Sequence, residues 1–146
     1  MGGGDLVEGD LQALQFLPGQ VACEVLANAG QVGGGRCSEP VAAVVGDGGY
    51  QFTMQELATA VQFRLGIPVI IFNDSTYSAV KAEQHSSRDQ RYSAVDLVNP
   101  DYVKLADAYG VPGVRVTSPE ALQTAITDAL SRDLPTLIDV PIDGWV

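Results

Sequence analysis

Val41-Ala42-Ala43-Val44-Val45-Gly46-Asp47-Gly48-Gly49 is the stretch on which the fold of this chain turns. Five apolar residues in a row, stopped by glycine, read as a parallel strand covered on both faces, because neither face of such a strand meets water. A second run, Val69-Ile70-Ile71-Phe72, follows Gly66 and Pro68. Between the two, Leu57, Ala60, Val61 and Arg64 recur at helical spacing up to Gly66, and Thr53 with Glu56 has the form of a capping box. Strand, loop, helix and strand in that order put Gly46 to Gln51 at the carboxyl edge of a sheet. The second strand brings Asn73 to Tyr77 to the same edge, so two loops face one space.

Working onward, Ser78 to Gln84 reads as helix and the polar stretch His85 to Tyr92 as loop. Asn99 as cap and Pro100 in the first turn introduce a helix over Asp101 to Tyr109, which Gly110 stops. Val114-Arg115-Val116 is a short strand. Ser118-Pro119-Glu120 then opens a helix to Leu130, with Leu122, Ala125, Ile126, Ala129 and Leu130 facing inward. Thr136 to Val140 is the last strand. The expected fold class is α/β, a three-layer α/β/α arrangement around a mostly parallel sheet. Residues 1–39 hold two triple-glycine clusters and read as a weakly specified segment with a short helix over Val21 to Ala27, and residues 40–146 read as the domain proper.

A chain of 146 residues has the length of one ordinary domain. Apolar residues make up 46% and charged residues only 18%, lean enough in charge to suggest surface given to a partner or to a missing portion of the chain. Eight Lys+Arg against 18 Asp+Glu leave a formal net charge of -10, which disfavours nucleic acid and anionic membrane surfaces as partners. An anion can still bind locally where backbone N–H groups or a divalent cation offset its charge. Cys23 and Cys37 have no metal-ligand partner set, since His85 is the single histidine, and read as reduced thiols of a cytoplasmic protein. The opening MGGGDLVEGD is no secretory signal, and no apolar run is long enough to span a bilayer.

Glycines after a buried strand let the backbone turn and bring its N–H groups close to an anion with no Cβ in the way. Asp47, set among them, can hold a divalent cation against that anion. Gly46-Asp47-Gly48-Gly49 alone is equally a tight turn with no ligand. The second loop changes the balance, because Asn73 and Asp74 add side-chain oxygens and Mg²⁺ takes six oxygens near 2.1 Å. No sulfur or imidazole is at hand for a transition metal.

The span Gly46 to Asp74, GDGGYQFTMQELATAVQFRLGIPVIIFND, resembles the signature of thiamine diphosphate-dependent enzymes, in which GDG precedes an NN pair; here 24 residues separate Gly48 from Asn73. QELATAVQF, VNPDYVKLADAYG, VRVTSPEAL and PTLIDVP are similar to the carboxyl-terminal domain of the acetolactate synthase-like group, so the likeness runs over roughly residues 40 to 143. The resemblance implies a thiamine diphosphate-binding fold, truncated on its amino-terminal side, with thiamine diphosphate and Mg²⁺ as cofactors. It implies that Asp47 and Asp74 are metal ligands, joined by the backbone carbonyl of Thr76. Gly46, Gly48, Gly49, Thr76 and Tyr77 would line the diphosphate, while Asn73 orients its loop. Asp74 stands where the family has the second asparagine, and adds a negative charge facing the diphosphate.

In this family a glutamate from an amino-terminal pyrimidine-binding domain activates the cofactor across a dimer interface. No such domain fits in the 45 residues before Gly46, and GQVGGGRCSEP, Gly30 to Pro40, departs from the family's glycine-rich loop. The expected function is therefore the thiamine diphosphate- and Mg²⁺-binding domain of an acetolactate synthase-like 2-oxo acid decarboxylase or carboligase, inactive without an amino-terminal pyrimidine-binding domain or a partner, a homo-oligomer or a separate subunit, that carries the glutamate. A catalytically inactive fragment, or a structural or regulatory subunit that keeps the fold, is the alternative. A generic nucleotide-binding domain ranks last, for want of a three-glycine fingerprint or a Gly-Lys-Ser/Thr loop. Among the remaining residues, Tyr50 and Phe52 read as packing, Glu56 as a cap, His85 as a surface histidine, and Asp139 as an aspartate with no evident pairing.

Overall fold

The computed structural model describes residues 41–143. The helix expected over Val21 to Ala27, both cysteines, the glycine clusters of residues 1–39 and Trp145 lie outside them. Among the described residues ten elements follow one another: β1 (Ala43–Gly46), α1 (Asp47–Thr53), a 3₁₀ turn (Met54–Glu56), α2 (Leu57–Gln62), β2 (Pro68–Asn73), α3 (Ser78–Ser87), α4 (Tyr102–Ala108), β3 (Gly113–Arg115), α5 (Pro119–Leu130) and β4 (Thr136–Pro141). The four strands form one sheet in the order β1-β2-β4-β3, and every pair is parallel. All four carboxyl ends therefore share one edge.

Alternate residues of each strand enter different cores, as the two-residue period of a strand demands. On one face Val45, Val69, Ile71 and Leu137 pack with Tyr50, Leu57, Tyr102 and Ala106 of the helices α1, α2 and α4. On the other, Ile70 and Ile138 meet Ala129, Leu122, Ala125 and Ile126 of α5. Helix, sheet and helix make the three layers that the double-sided apolar runs predict. Burial on both faces is also why these strands show no polar alternation.

Several boundaries differ from the sequence expectation. Residues 47–53 are not a loop: α1 begins at Asp47, directly after β1. The capping box at Thr53 and Glu56 does not form, because the chain is already helical there; the Thr53 hydroxyl turns back to the Tyr50 carbonyl, and no side chain caps the following turn. Arg64 leaves the helical pattern with a left-handed φ of 51°. Helix α3 runs on to Ser87, so His85 is helical, with Nδ1 2.7 Å from the Tyr92 hydroxyl and the two rings stacked. Strand β3 lies one residue earlier than expected, and Leu130, placed on the inward face of α5, is 38% exposed. Ser118 caps α5 as its sequence suggests, accepting from the Ala121 N–H.

Candidate cofactor site

At the carboxyl edge, the β1–α1 junction and the β2–α3 connection meet through one side chain. Asp47 is 2% exposed. Its Oδ1 accepts from the Gly48 N–H at 2.8 Å, and its Oδ2 accepts from the Ser75 N–H at 2.8 Å and from Asn99 Nδ2 at 2.5 Å. The Ser75 contact ties the tip of β1 to the residue immediately after Asp74. Ser75 reaches it with φ at +58°, a left-handed conformation that costs an ordinary residue about 1 kcal/mol or more. Its carbonyl accepts from the Leu97 N–H, so the turn is held from both sides.

Asp74 organises its own turn. One carboxylate oxygen accepts from the Thr76 N–H at 3.1 Å and the other from the Ser78 hydroxyl. Thr76 is buried; its hydroxyl donates to the Val95 carbonyl, while its own carbonyl accepts no backbone hydrogen bond among the described residues. Tyr77, expected to line the diphosphate, has its N–H committed to the Val95 carbonyl at 2.8 Å. What Tyr77 presents instead is its ring, stacked on the 71% exposed Phe52 with centroids 6.2 Å apart. A Cβ at Gly48 would lie 2.5 Å from that ring, whereas one at Gly46 would meet nothing within 4 Å. Gly48 is thus required by packing, and Gly46 borders open space.

Asn99, a helix cap by its sequence position, serves elsewhere. Asp101 caps α4, accepting from the Val103 and Lys104 N–H groups, because Pro100 carries Asn99 away from the helix end. Asn99 Nδ2 donates to Asn73 Oδ1 as well as to Asp47, and Asn99 Oδ1 accepts from Gln51 Nε2 at 2.5 Å. Asn73 Nδ2 in turn donates to Asp139 Oδ1 at 3.0 Å. Asp139, without a visible partner in sequence, is fully buried and accepts from Arg115 Nε at 2.7 Å. That pairing holds the Arg115 guanidinium above its ordinary value. Local patterns had no means of finding Asn99, Gln51, Arg115 or Asp139, since each acts on a residue far away in the chain. Tyr102 lies beneath the site, its phenol pushed up first by burial and then by the Asp47 carboxylate.

The donor set suits a magnesium-bridged diphosphate. A carboxylate offers about four lone-pair sites; three on Asp47 are filled, and Asp74 keeps unused capacity on both oxygens. Among the described residues no three acidic, histidine or cysteine side chains gather in one place. An ion here would therefore draw its other ligands from backbone, water and the diphosphate itself.

Comparison with known proteins decides the family. Residues 17–140 match the thiamine pyrophosphate enzyme, C-terminal TPP binding domain. The chain belongs to this family. Its domain binds thiamine diphosphate. It is 44% identical over 105 residues to an acetolactate synthase of Bacillus subtilis (strain 168), covering 72% of this chain and 18% of that protein. A putative thiamine pyrophosphate-containing protein, YdaP, of the same organism is 39% identical over 100 residues, covering 68% and 17%. Among solved structures, the thiamine diphosphate-dependent 4-hydroxybenzoylformate decarboxylase of Rhodococcus jostii RHA1 superposes with a TM-score of 0.69 at 31% identity, covering 74% of this chain and 20% of that one. Benzoylformate decarboxylase from Polynucleobacter necessarius gives a TM-score of 0.71 at 28% identity, covering 84% and 22%. The chain thus spans about a fifth of the length of the proteins it matches. The thiamine diphosphate-binding fold and the acetolactate synthase-like resemblance both stand. No described helix is long and apolar enough to cross a membrane.

Proposed function

We propose that this chain is the Mg²⁺- and thiamine diphosphate-binding domain of an acetolactate synthase-like 2-oxo acid decarboxylase or carboligase. The observation that carries the reading is the hydrogen bond from the Ser75 N–H to Asp47 Oδ2, which draws the two strand tips together. Asp47 and Asp74 would hold Mg²⁺ with the Thr76 carbonyl, which accepts no backbone hydrogen bond among the described residues, and the backbone of Gly46, Gly48 and Gly49 would border the diphosphate beside the Tyr77 ring. Bound there, the cofactor supplies the chemistry that breaks or makes a bond next to a carbonyl. The residues of this chain fix its anionic end and exclude water around Asp47.

Activation of the cofactor needs a glutamate from a pyrimidine-binding domain, and the described residues build one sheet and one domain only. Turnover therefore depends on a pyrimidine-binding domain that the described residues do not include. Titrating the full chain calorimetrically with thiamine diphosphate gives binding that requires Mg²⁺ and disappears in Asp47→Ala. The same chain with both cofactors and pyruvate produces no carbon dioxide. Absence of metal-dependent binding refutes the assignment, and clear turnover refutes the need for a partner. A second reading, an inactive subunit that keeps the fold, draws support from the three internal donors that already occupy Asp47; equal affinity with and without Mg²⁺ would favour it.

A further inference from the structure

We propose that Asn99 is the positioning residue of the Asp47 carboxylate, and that a chain of side chains crossing the sheet edge from Arg115 through Asp139 and Asn73 fixes the donating orientation of its amide. The inference rests on the assignment of Asp47 as a metal ligand and deepens it. Its members follow the spatial order of the strands: Arg115 ends β3, Asp139 lies on β4, Asn73 ends β2, and Asp47 follows β1.

Donor and acceptor chemistry leaves this chain one polarity. Asp139, buried, accepts from the Arg115 guanidinium through one oxygen and faces Asn73 with the other. Asn73 must turn Nδ2 toward it, which leaves Asn73 Oδ1 as an acceptor on its other side. Asn99 must then present Nδ2, and that nitrogen has two hydrogens: one satisfies Asn73 and the other reaches Asp47 Oδ2. The Gln51 amide closes the arrangement by donating to the remaining Asn99 oxygen. An asparagine orientation is ordinarily ambiguous because oxygen and nitrogen look alike. Here acceptors lie on both sides, so a flipped Asn99 would set its oxygen against Asn73 Oδ1 and Asp47 Oδ2 together.

With one Asp47 oxygen pinned by Ser75 and Asn99 and the other by Gly48, the carboxylate keeps a single orientation and one free lone-pair direction for an ion. Hydrogen-bonding partners of this kind typically govern about 10- to 100-fold in metal affinity. The test holds thiamine diphosphate constant and titrates the full chain with Mg²⁺ calorimetrically. Asn99→Ala and the isosteric Asn99→Asp raise the Mg²⁺ midpoint by about 10-fold or more, Asp139→Asn raises it in the same direction by letting Asn73 turn over, and Arg115→Lys stays near wild type. A merely structural loss lowers the fraction of chain that binds and leaves the midpoint of the remainder in place. Wild-type binding with unchanged midpoints in both Asn99 variants overturns this inference alone; wild type with no Mg²⁺-dependent binding overturns the functional assignment and this inference with it. The wild-type chain gives a second measurement that needs no variant: the Asn99 side-chain amide resonances shift on addition of Mg²⁺ and thiamine diphosphate, and a static signal counts against the proposal.

Discussion

Glycines in one short motif do different jobs, and the difference is measurable. Gly48 is there because the Tyr77 ring occupies the place of its side chain, with Cε1 and Cδ1 2.5 and 2.6 Å from an added Cβ. Gly48→Ala should push that ring off Phe52 and lower stability by about 1–3 kcal/mol in urea unfolding, the usual range for overpacking. At Gly46 an added methyl meets open space, so Gly46→Ala should leave stability near wild type and act on cofactor binding alone. Sequence marks both as glycines after a strand. It cannot say which one is packed against a ring, because that ring arrives from the far side of β2. The proposed metal ligands have the same character: Asp47 and Asp74 are legible as oxygen-bearing residues, while the meeting of their strand ends depends on a left-handed serine that nothing in the local pattern demands.

Among the elements, strongly apolar ones were legible and boundaries set by distant contacts were not. β1, β2 and β4 announce themselves by buried runs, and Ser118-Pro119-Glu120 marks the start of α5 by a cap that does form. The failures share a cause. Thr53 has the right spacing for a cap, but α1 has begun at Asp47 and no free helix end is left for it to serve. Helix α3 outlasts its polar sequence because Gln84 accepts from the Ser93 N–H, His85 meets Tyr92, and Lys81 lies 5.4 Å from the Tyr92 ring centroid, all contacts with the following loop. At α4, Asn99 and Asp101 are both plausible caps by residue type, and the structure gives them separate work. Asp101→Ala should therefore cost about 1 kcal/mol of stability, read from the thermal midpoint, and leave Mg²⁺-dependent binding in place. Asn99→Ala reverses that pattern.

Over the whole molecule, two phenols report on the integrity of the core on the α4 side of the sheet. Tyr50 and Tyr102 pack edge to face at 5.6 Å, and burial raises both above the ordinary tyrosine value near 10, with the Tyr109 phenol adding to the first and the Asp47 carboxylate to the second. In the unfolded chain both phenols lose their protons near pH 10, while the folded chain retains them. The unfolded state binds fewer protons there, so stability falls as pH rises past 10 and is unaffected by these groups below it. Urea midpoints recorded from pH 8 to 11 should decline only in the upper part of that range, and less steeply in Tyr102→Phe. Parallel order and the common carboxyl edge were readable from strand–helix alternation, whereas the polar chain across that edge was not, since it joins residues of four strands that are neighbours only after folding.

The position of β4 has a consequence for how the chain acquires its shape during synthesis. Last of the four strands to be made, it lies between β2 and β3, pairing Pro68 with Thr136 on one side and Gly113 with Leu137 on the other. Until it emerges, β3 has no neighbour in the sheet and Asp139 is not there to orient Asn73. Such late, long-range pairing is slow to form and leaves apolar edges open meanwhile. A ribosome-bound nascent chain that stops short of Thr136 would hold Asp47, Gly48 and Asp74, yet lack the strand that carries Asp139 and pairs with both β2 and β3.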